Sequence, residues 1–275
     1  MLKYPPYSVC MAVYKNDSPV FFRSAFDSMV CQTIPPNEII LFIDGPIKQD
    51  LEEEISRCRQ IYLSLQILRS PKNKGLAAGR QAGIEAAQND IVVFMDSDDI
   101  ASTDRVEKQM GYMIAHPETD IIGGQIEEFI DNVDHIVGKR VVPLHNADIL
   151  RYMKSRCPMN MMTIMARKSA ILAVGGFLDW HYNEDYYLWI RLALAGYTFA
   201  NLDETLVHVR VGEEMYQRRG GWKYFKSERG IQRYMLQHKM ISVPHYCYNV
   251  LGRFVVQVIM TNRVRGFVFQ KLFRK

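Results

Sequence analysis

The stretch IVVFMDSDDI, residues 91–100, carries five apolar residues directly into a cluster of three carboxylates. An apolar run of this length predicts a strand buried on both faces, which is typical of a parallel sheet. Asp96, Asp98 and Asp99 repel one another at the end of that strand, and burying any of them is costly without a positive partner. The stretch therefore predicts a buried strand whose carboxyl end meets a cation.

Short apolar segments alternate with helical patterns through the first 124 residues. The patterns predict strands at 7–14, 38–44, 62–68, 91–96 and 120–124, and helices at about 18–31, 48–60, 75–88 and 102–115. Such alternation predicts an α/β fold with a doubly wound, mostly parallel, Rossmann-like sheet. Ligands of these sheets bind at the carboxyl ends of the strands. Polar residues gather at four of those ends, at 14–17, 44–45, 73–75 and 96–99, which predicts a binding crevice there.

The second half of the chain is less regular. Residues 127–143 read as a hairpin, and residues 158–170 as a strand that runs into a helix. The segment NEDYYLWIRLALAGY, residues 183–197, predicts a helix with Asn183 as N-cap, Glu184 and Asp185 in the first turn, and Gly196 at the end. Acids in a first turn stabilise a helix by about 0.3–1 kcal/mol whatever else they do.

The composition describes an ordinary folded chain. Its 275 residues, 48% hydrophobic and 23% charged, suit one large α/β domain, alone or with an appendage. The five cysteines are scattered singly without CxxC spacing, which argues against a disulfide framework or a zinc site and for a reducing compartment. No signal-peptide core and no apolar run of roughly 18 residues is visible, so we expect a cytoplasmic protein.

The charge is unevenly distributed. Residues 215–275 contain 13 Lys and Arg and one acidic residue, Glu228, while the whole chain has a net charge of only +4. From residue 249 onward bases alternate with Phe, Leu and Val, and this basic amphipathic pattern favours attachment to an anionic membrane surface. The alternative is a helix packed on the main domain with a basic outer face.

Two motifs carry ligand chemistry. One residue separates Asp96 from Asp98 after a buried strand, and this spacing suits a hard cation, Mg²⁺ or Mn²⁺, that also binds a diphosphate. A solvated turn is the alternative. The residues Asn73-Lys74-Gly75 open the third helix, and Arg80 follows within it, which favours an anion such as phosphate. The small residues of the same helix also permit close packing on the sheet. Walker A and GxGxxG spacings are absent from the sequence.

Together these segments resemble a known family. SVCMAVYKND (8–17), SMVCQTIPPNEIILFIDGP (28–46), NKGLAAGRQAGI (73–84), VVFMDSDDI (92–100) and NEDYYLWIRLALAGY occur in the order found in inverting family 2 glycosyltransferases of the GT-A fold. The resemblance covers about residues 7–210. Two positions depart from the family pattern. The usual paired Asp after strand two is Ile43-Asp44-Gly45, and the usual Arg-Asn is Arg80-Gln81, which leaves position 81 without an assigned role.

The resemblance implies a role for each matched position. Uracil would be held by Ala12, Val13, Tyr14 and Asp44, and the rest of the nucleotide by Asn73, Gly75 and Arg80. Asp96, with Ser97 beside it, would face the ribose, Asp98 would hold the metal, and Asp185 would be the catalytic base. Residues that could contact a diphosphate or the acceptor are Glu184, Arg210, Arg218 and Arg219, and His208 is a further candidate at the metal.

The resemblance also implies an activity and partners. A GT-A domain at 1–214 would contain a nucleotide-binding half at about 1–124 and an acceptor half at about 125–214, followed by a helical basic extension at 215–275. The enzyme would transfer glucose or galactose from a UDP-sugar to a lipid-diphosphate-linked sugar in O-antigen or capsule synthesis, at the inner face of the cell membrane. A sugar-nucleotide nucleotidyltransferase and a nucleic-acid-binding protein remain as alternatives.

Overall fold

The computed structural model describes residues 4–212 and 220–260. Within these residues nine strands form a single sheet. The strands are β1 (Tyr7–Tyr14), β2 (Glu38–Asp44), β3 (Leu65–Ser70), β4 (Ile91–Phe94), β5 (Ile100–Ala101), β6 (Ile121–Phe129), β7 (Ile136–Arg140), β8 (Met165–Arg167) and β9 (Phe199–Arg210).

The strand order is β3-β2-β1-β4-β8-β6-β9-β5, and β7 pairs with β6 outside this path. The first four strands in this order are parallel, which confirms the expected doubly wound half. The next strand, β8, runs antiparallel to both β4 and β6 and joins the two halves of the sheet. Parallel pairing returns between β6 and β9. The sheet is therefore mixed and mostly parallel.

Nine helices accompany the strands in the described residues. They are α1 (Pro19–Val30), α2 (Gln49–Ile61), α3 (Leu76–Ala86), α4 (Arg105–Ala115), α5 (Asn146–Met153), α6 (Lys168–Ala173), α7 (Glu184–Leu194), α8 (Gly221–Gln237) and α9 (Val243–Phe254). A short 3₁₀ helix covers Met161–Thr163, and a π-helical turn, Val255–Ile259, continues α9.

Hydrophobic cores cover both faces of the sheet. Alternate residues of β1 point to opposite sides, so Val9 and Met11 pack beneath α1, α2 and α4, while Cys10 packs beneath α3. The second core continues through α7, where Trp189 is fully buried, and includes Ile231 and Met235 of α8. Helices on both faces are what a parallel sheet with apolar faces requires.

The boundaries of three strands differ from the sequence prediction, and one of them is β6, which continues to Phe129 instead of ending at residue 124. Strand β3 begins at Leu65 instead of residue 62, because Tyr62 closes the end of α2 and Leu63 is 92% exposed. Strand β4 ends at Phe94, so the acids of the DSDD motif lie in the loop that follows. The hairpin at 127–143 is confirmed as β6–β7, and the segment at 158–170 does run from a strand, β8, into α6.

The described part of the basic extension is helical. Helices α8 and α9 pack on each other and on the second core, so α8 belongs to the folded body. Arg253 of α9, which the sequence assigned to a basic membrane-facing pattern, forms an ion pair with Glu228 of α8. No helix within the described residues is long and apolar enough to cross a membrane. The bases at 263–275 lie outside the described residues, and the domain division at 214 stays a prediction.

Candidate active site at the carboxyl ends of the strands

The loop before α3 is held by an acid from the neighbouring strand. Both carboxylate oxygens of Asp44 accept backbone N–H groups, from Lys74 at 2.6 Å and from Gly75 at 2.9 Å. Gly45 makes this approach possible, since its φ is +86° and a Cβ there would lie 2.8 Å from the nitrogen of Asn73. The sequence favoured a phosphate at the N-terminus of α3. In the structure the anion beside these N–H groups is the carboxylate of Asp44.

Four acids gather around the end of β4. The hydroxyl of Ser97 donates to Asp17 at 2.9 Å, and the backbone N–H of Tyr14 donates to the same oxygen at 3.1 Å. Burial and the charge of Asp96 raise the pKa of Asp17 to about 6. The side chain of Asp98 keeps contact with solvent, yet loss of hydration and the charges of Asp96 and Asp17 raise its pKa to about 6.

This acid cluster fits a cation whose remaining ligands come from elsewhere. The described residues contain no group of three or more His, Cys, Asp and Glu side chains arranged around one metal position. A cation at Asp98 would depend on oxygens of the substrate and water, as Mg²⁺ and Mn²⁺ do at nucleotide sites. The raised pKa of Asp98 fits that use, because its charge lacks full compensation from the protein.

Asp99 and Arg210 fix the far side of the loop. Asp99 is buried and accepts the backbone N–H of Arg210 at 2.9 Å, and burial with the charge of Asp98 raises its pKa. The guanidinium of Arg210 lies 3.8 Å from the ring centroid of Phe21 and 4.6 Å from that of Phe129. It also donates to the carbonyl of Asp98 at 3.3 Å. Arg210 thus braces the acid loop, and its contact with a diphosphate stays a prediction.

A second arginine supports the same loop from below. Arg105 is completely buried and donates to the carbonyl oxygens of Phe94 at 3.0 Å and Ile164 at 3.4 Å. Burial lowers its pKa to about 9. The guanidinium therefore ties the end of β4 to the chain before β8, and it places a positive charge beneath the acids.

Arg80 joins the two acid motifs. Its guanidinium is buried and donates to Glu184 of α7 at 2.8 Å and to Asp96 at 3.3 Å. Burial and the charge of Asp185 raise the pKa of Glu184, while Arg80 opposes that effect. Although the sequence grouped Arg80 with nucleotide contacts, its described partners are these two carboxylates.

Gln81, which the sequence left without a role, anchors a turn. Its side-chain oxygen accepts the backbone N–H of Phe177 at 2.8 Å. Gly176 permits the contact, because a Cβ there would lie 2.0 Å from that oxygen and its φ is +67°. The turn carries Phe177 beneath Arg80, whose guanidinium carbon lies 6.0 Å from the ring centroid.

Consecutive acids at the start of α7 have different surroundings. Glu184 contacts Arg80, whereas Asp185 lies in the wall of a separate cavity and approaches the thiol of Cys157, with Sγ and Oδ2 3.9 Å apart. Burial and the charge of Asp185 raise the pKa of Cys157 to about 12, so the thiol is a donor at neutral pH. Asn183 occupies the N-cap position, but its amide donates to Ser227 and does not cap the helix.

The other predicted site residues are placed as follows. Val13 is buried, Ala12 is half-buried, and Tyr14 is 39% exposed at the rim of the crevice. The amide of Asn73 donates weakly to the carbonyl of Asp44 at 3.4 Å. Nδ1 of His208 lies 3.7 Å from Oε2 of Glu127 without a hydrogen bond, and the role of His208 at a metal stays a prediction. Arg218 and Arg219 lie outside the described residues.

Comparison with known proteins decides the family. The sequence model described as glycosyl transferase family 2 matches residues 8–175. The chain belongs to glycosyltransferase family 2. An uncharacterized glycosyltransferase of Haemophilus influenzae is 41% identical over 222 residues, covering 81% of this chain and 82% of that one. The UDP-Gal:alpha-D-GlcNAc-diphosphoundecaprenol beta-1,3-galactosyltransferase of Escherichia coli is 33% identical over 271 residues, covering 98% of both chains.

Solved structures share the fold of this family 2 glycosyltransferase. The Staphylococcus aureus TarS 1–349 complex with UDP-GlcNAc superposes with a TM-score of 0.67 at 17% identity, covering 97% of this chain and 76% of that one. The mannosyltransferase PcManGT of Pyrobaculum calidifontis, in complex with GDP-Man and Mn²⁺, gives 0.63 at 14% identity, with 99% and 83% covered. The GT-A fold expected from the sequence is therefore confirmed.

Two positions around the end of β4 were missed from sequence. Asp17 was seen only as part of a polar strand end, although its position after β1 placed it at the same edge as the DSDD motif. Arg105 gave no signal, because an arginine in an amphipathic helix ordinarily faces solvent.

Proposed function

We propose that this glycosyltransferase moves a hexose, galactose or glucose, from a UDP-sugar to a sugar carried on a lipid diphosphate, with inversion at the anomeric carbon. The proposal extends to the assembly of a bacterial surface polysaccharide, O-antigen or capsule. The Escherichia coli galactosyltransferase supports it, because the similarity spans 98% of both chains. One observation carries the proposal: two adjacent acids face different places. Glu184 contacts Arg80 beside the DSDD motif, whereas Asp185 faces a cavity of its own, so a base and a donor crevice lie side by side.

The donor would bind in the crevice at the carboxyl ends of β1, β2 and β4. Tyr14 at the rim would lie against uracil, and Asp44 would accept from the base with lone pairs that the loop N–H groups leave available. Asp96, oriented by Arg80, would face the ribose with Ser97 beside it. Asn73 and Gly75 would line the nucleotide pocket, which Asp44 holds in shape.

Asp98 would hold the divalent cation, Mn²⁺ or Mg²⁺. When bound, the cation would neutralise charge on the departing diphosphate as a Lewis acid. The protein supplies the rest of the donor environment. Arg210 and Arg105 brace the loop, and Asp98, whose charge the protein compensates only in part, is available for a cation.

Asp185 would act as the general base. The acceptor hydroxyl gives its proton to Asp185 as its oxygen forms a bond to the anomeric carbon, and the bond from that carbon to the β-phosphate oxygen breaks with its electron pair on UDP. The anomeric carbon passes through a transition state with oxocarbenium character. The thiol of Cys157, protonated at neutral pH, lies 3.9 Å from the carboxylate and 3.5 Å from the carbonyl of Met159, so it can donate to either oxygen.

The site of action would be the inner face of the cell membrane. The bases at 263–275 are interleaved with Phe, Val and Leu, which favours a peripheral contact with anionic lipid. A lipid-linked acceptor would then diffuse to the enzyme in the plane of the bilayer.

The decisive experiment incubates the purified protein with a panel of UDP-sugars, Mn²⁺ and GlcNAc joined through a diphosphate to a short alkyl chain. We expect UDP-galactose or UDP-glucose to give a disaccharide product with inverted anomeric configuration, read by mass spectrometry and NMR. Transfer from none of the UDP-sugars would contradict the proposed donor class, and a product that retains configuration would contradict the role of Asp185.

A further inference from the structure

A cavity of about 470 Å³ opens beside Asp185. Its volume falls in the range of roughly 300–1,000 Å³ that is usual for ligand pockets. Its walls come from the end of β7, the segment after α5, the residues that lead into α7, and the helices α8 and α9 with the π-helical turn. Its charged lining residues are Arg140, Arg156, Asp185, Glu228 and Arg253.

The C-terminal helices that close this cavity lie beyond residues 8–175, the part that the family model matches. Arg253 fastens them to the catalytic half, because its guanidinium pairs with Glu228 and donates to the carbonyl of Ser155 at 2.5 Å. The amide of Asn249 adds a bond to the carbonyl of Lys154 at 2.9 Å. The contacts of Arg253 and Asn249 therefore hold the two C-terminal helices against the segment after α5 and close the cavity.

The charged lining residues suit a negatively charged sugar ligand. Three arginines face two acids, and one of those acids, Glu228, is already paired with Arg253. Arg140 donates to the carbonyl of Cys157 at 2.9 Å, which places its guanidinium on the same wall as Asp185. Arginine forks match phosphate oxygens, and they commonly recognise diphosphates.

Aromatic rings also line the cavity. The rings of Tyr182 and Tyr224 lie 6.5 Å apart between centroids, and Tyr248 of α9 is 80% exposed. Tyrosine offers an apolar ring face and a polar hydroxyl in one side chain, which suits contact with a sugar that presents both surfaces. The carboxylate of Asp185 lines the same cavity as these rings.

We propose that this cavity binds the sugar-diphosphate end of the acceptor, with the diphosphate at Arg140 and Arg156 and the sugar between Tyr248 and Asp185. The inference rests on the proposed function and adds the location and the recognising residues of its second substrate. Acceptor specificity then depends on α8 and α9, outside the nucleotide half. The acceptor's lipid chain would leave across the open side of α9.

The test compares Arg140→Gln and Tyr248→Ala with two matched controls, Arg151→Gln and Val243→Ala. Arg151 is an exposed arginine of α5, Val243 is an exposed residue in the first turn of α9, and neither lines the cavity. The acceptors are GlcNAc joined through a diphosphate to a short alkyl chain, and the alkyl glycoside of GlcNAc without a diphosphate. Melting temperature and UDP affinity are measured for every variant.

We expect Arg140→Gln to raise the KM for the diphosphate acceptor by roughly 10–100-fold, the loss of a charge-assisted contact. The KM for the UDP-sugar and the KM for the alkyl glycoside should stay within about twofold of their values for the unmodified protein, because neither molecule reaches the proposed acceptor-diphosphate position. Tyr248→Ala should weaken both acceptors, because the sugar is common to them, and the controls should weaken neither. Equal acceptor KM values for Arg140→Gln and the unmodified protein would overturn the inference.

A binding measurement separates the two proposals. Calorimetry with the diphosphate acceptor alone needs no turnover, so it tests the cavity even if every UDP-sugar fails as donor. Binding that Arg140→Gln weakens and Arg151→Gln leaves intact supports the cavity by itself. Transfer by the unmodified protein together with equal acceptor affinity in all variants would sustain the proposed function and refute the cavity assignment.

Discussion

Nη1 of Arg80 donates to Oε1 of Glu184 at 2.8 Å, which joins α3 to α7 across 104 positions of the sequence. The same guanidinium reaches Asp96 at the end of β4. One buried charge therefore fixes the relative position of the nucleotide crevice and of the helix that carries Asp185. The energetics of this site depend on Arg80, because both carboxylates lose their compensating charge without it.

Replacing Arg80 should destabilise the fold as well as the activity. Arg80→Met leaves Glu184 and Asp96 without their partner, and breaking a buried pair from one side costs about 3–5 kcal/mol. Urea denaturation measures this loss. The exposed pair of Arg151 and Asp148 provides the control, since Arg151→Met should cost less than about 1 kcal/mol. Equal stability of the two variants would show that Arg80 is not the link described above.

Asp98→Asn should remove metal-dependent transfer from a protein that stays folded. The side chain keeps contact with solvent, so the amide is tolerated, but it offers Mn²⁺ no negative charge. We expect transfer with Mn²⁺ to fall by at least about 100-fold, the scale of losing one electrostatic contact to a transition state. Full activity of the unmodified protein in excess EDTA would contradict the metal assignment.

Asp185→Asn should separate catalysis from donor binding. Loss of a general base typically lowers the rate by roughly 10²–10⁴-fold. The proposed UDP contacts lie in the crevice at the carboxyl ends of β1, β2 and β4 and do not include Asp185. Calorimetry with UDP and Mn²⁺ should give an affinity close to that of the unmodified protein. Asp179→Asn, an exposed acid shortly before α7, is the control and should change neither quantity. A collapse of UDP binding would assign Asp185 to the donor site or to folding.

Binding of Mn²⁺ with UDP should weaken as the pH falls through about 6. Asp17 and Asp98 have pKa values raised from 3.8 to about 6, so both take up protons in the folded protein at a pH where the unfolded chain remains ionised. Their protonation stabilises the ligand-free fold as the pH falls from about 6 to 4. The same protonation weakens the binding of Mn²⁺. Calorimetry at pH 5, 6, 7 and 8 measures how the Mn²⁺ affinity changes with pH, and thermal unfolding at the same pH values measures how the stability of the ligand-free protein changes. An Mn²⁺ affinity that does not change with pH would contradict the raised pKa values of Asp17 and Asp98.

Removal of residues 261–275 should weaken membrane attachment without loss of UDP binding. The deleted segment carries Arg263, Arg265, Lys271, Arg274 and Lys275, and each cation near an anionic surface contributes roughly 1 kcal/mol. A cut at Leu251 would also remove Arg253 and part of the cavity wall. Flotation with anionic and neutral liposomes compares the two proteins. Equal flotation on anionic liposomes would show that attachment lies elsewhere.

The sequence alone determined the elements whose signals are local. The apolar runs of β1, β2 and β4, the acids that follow β4, and the helix that opens with Glu184 and Asp185 were all predicted near their observed places. Periodicity and turn chemistry act over a few residues, so they can be read from neighbours in the chain. The family followed from the order of those segments. The start of β3 was missed because the end of α2 decided it.

The tertiary structure decided what each charged group faces. Asp44 and the N-terminus of α3 are 30 residues apart in the chain. Only their packing shows that the carboxylate accepts hydrogen bonds from the N–H groups at which the sequence predicted a phosphate. Gln81, Arg105 and Arg253 likewise acquired their roles from distant backbone or acidic partners. A side chain's partner depends on which elements pack together, and no local pattern encodes that. The divergence of Glu184 and Asp185 toward two sites arises for the same reason: adjacent residues of a helix point about 100° apart, so the elements on each side determine what they meet.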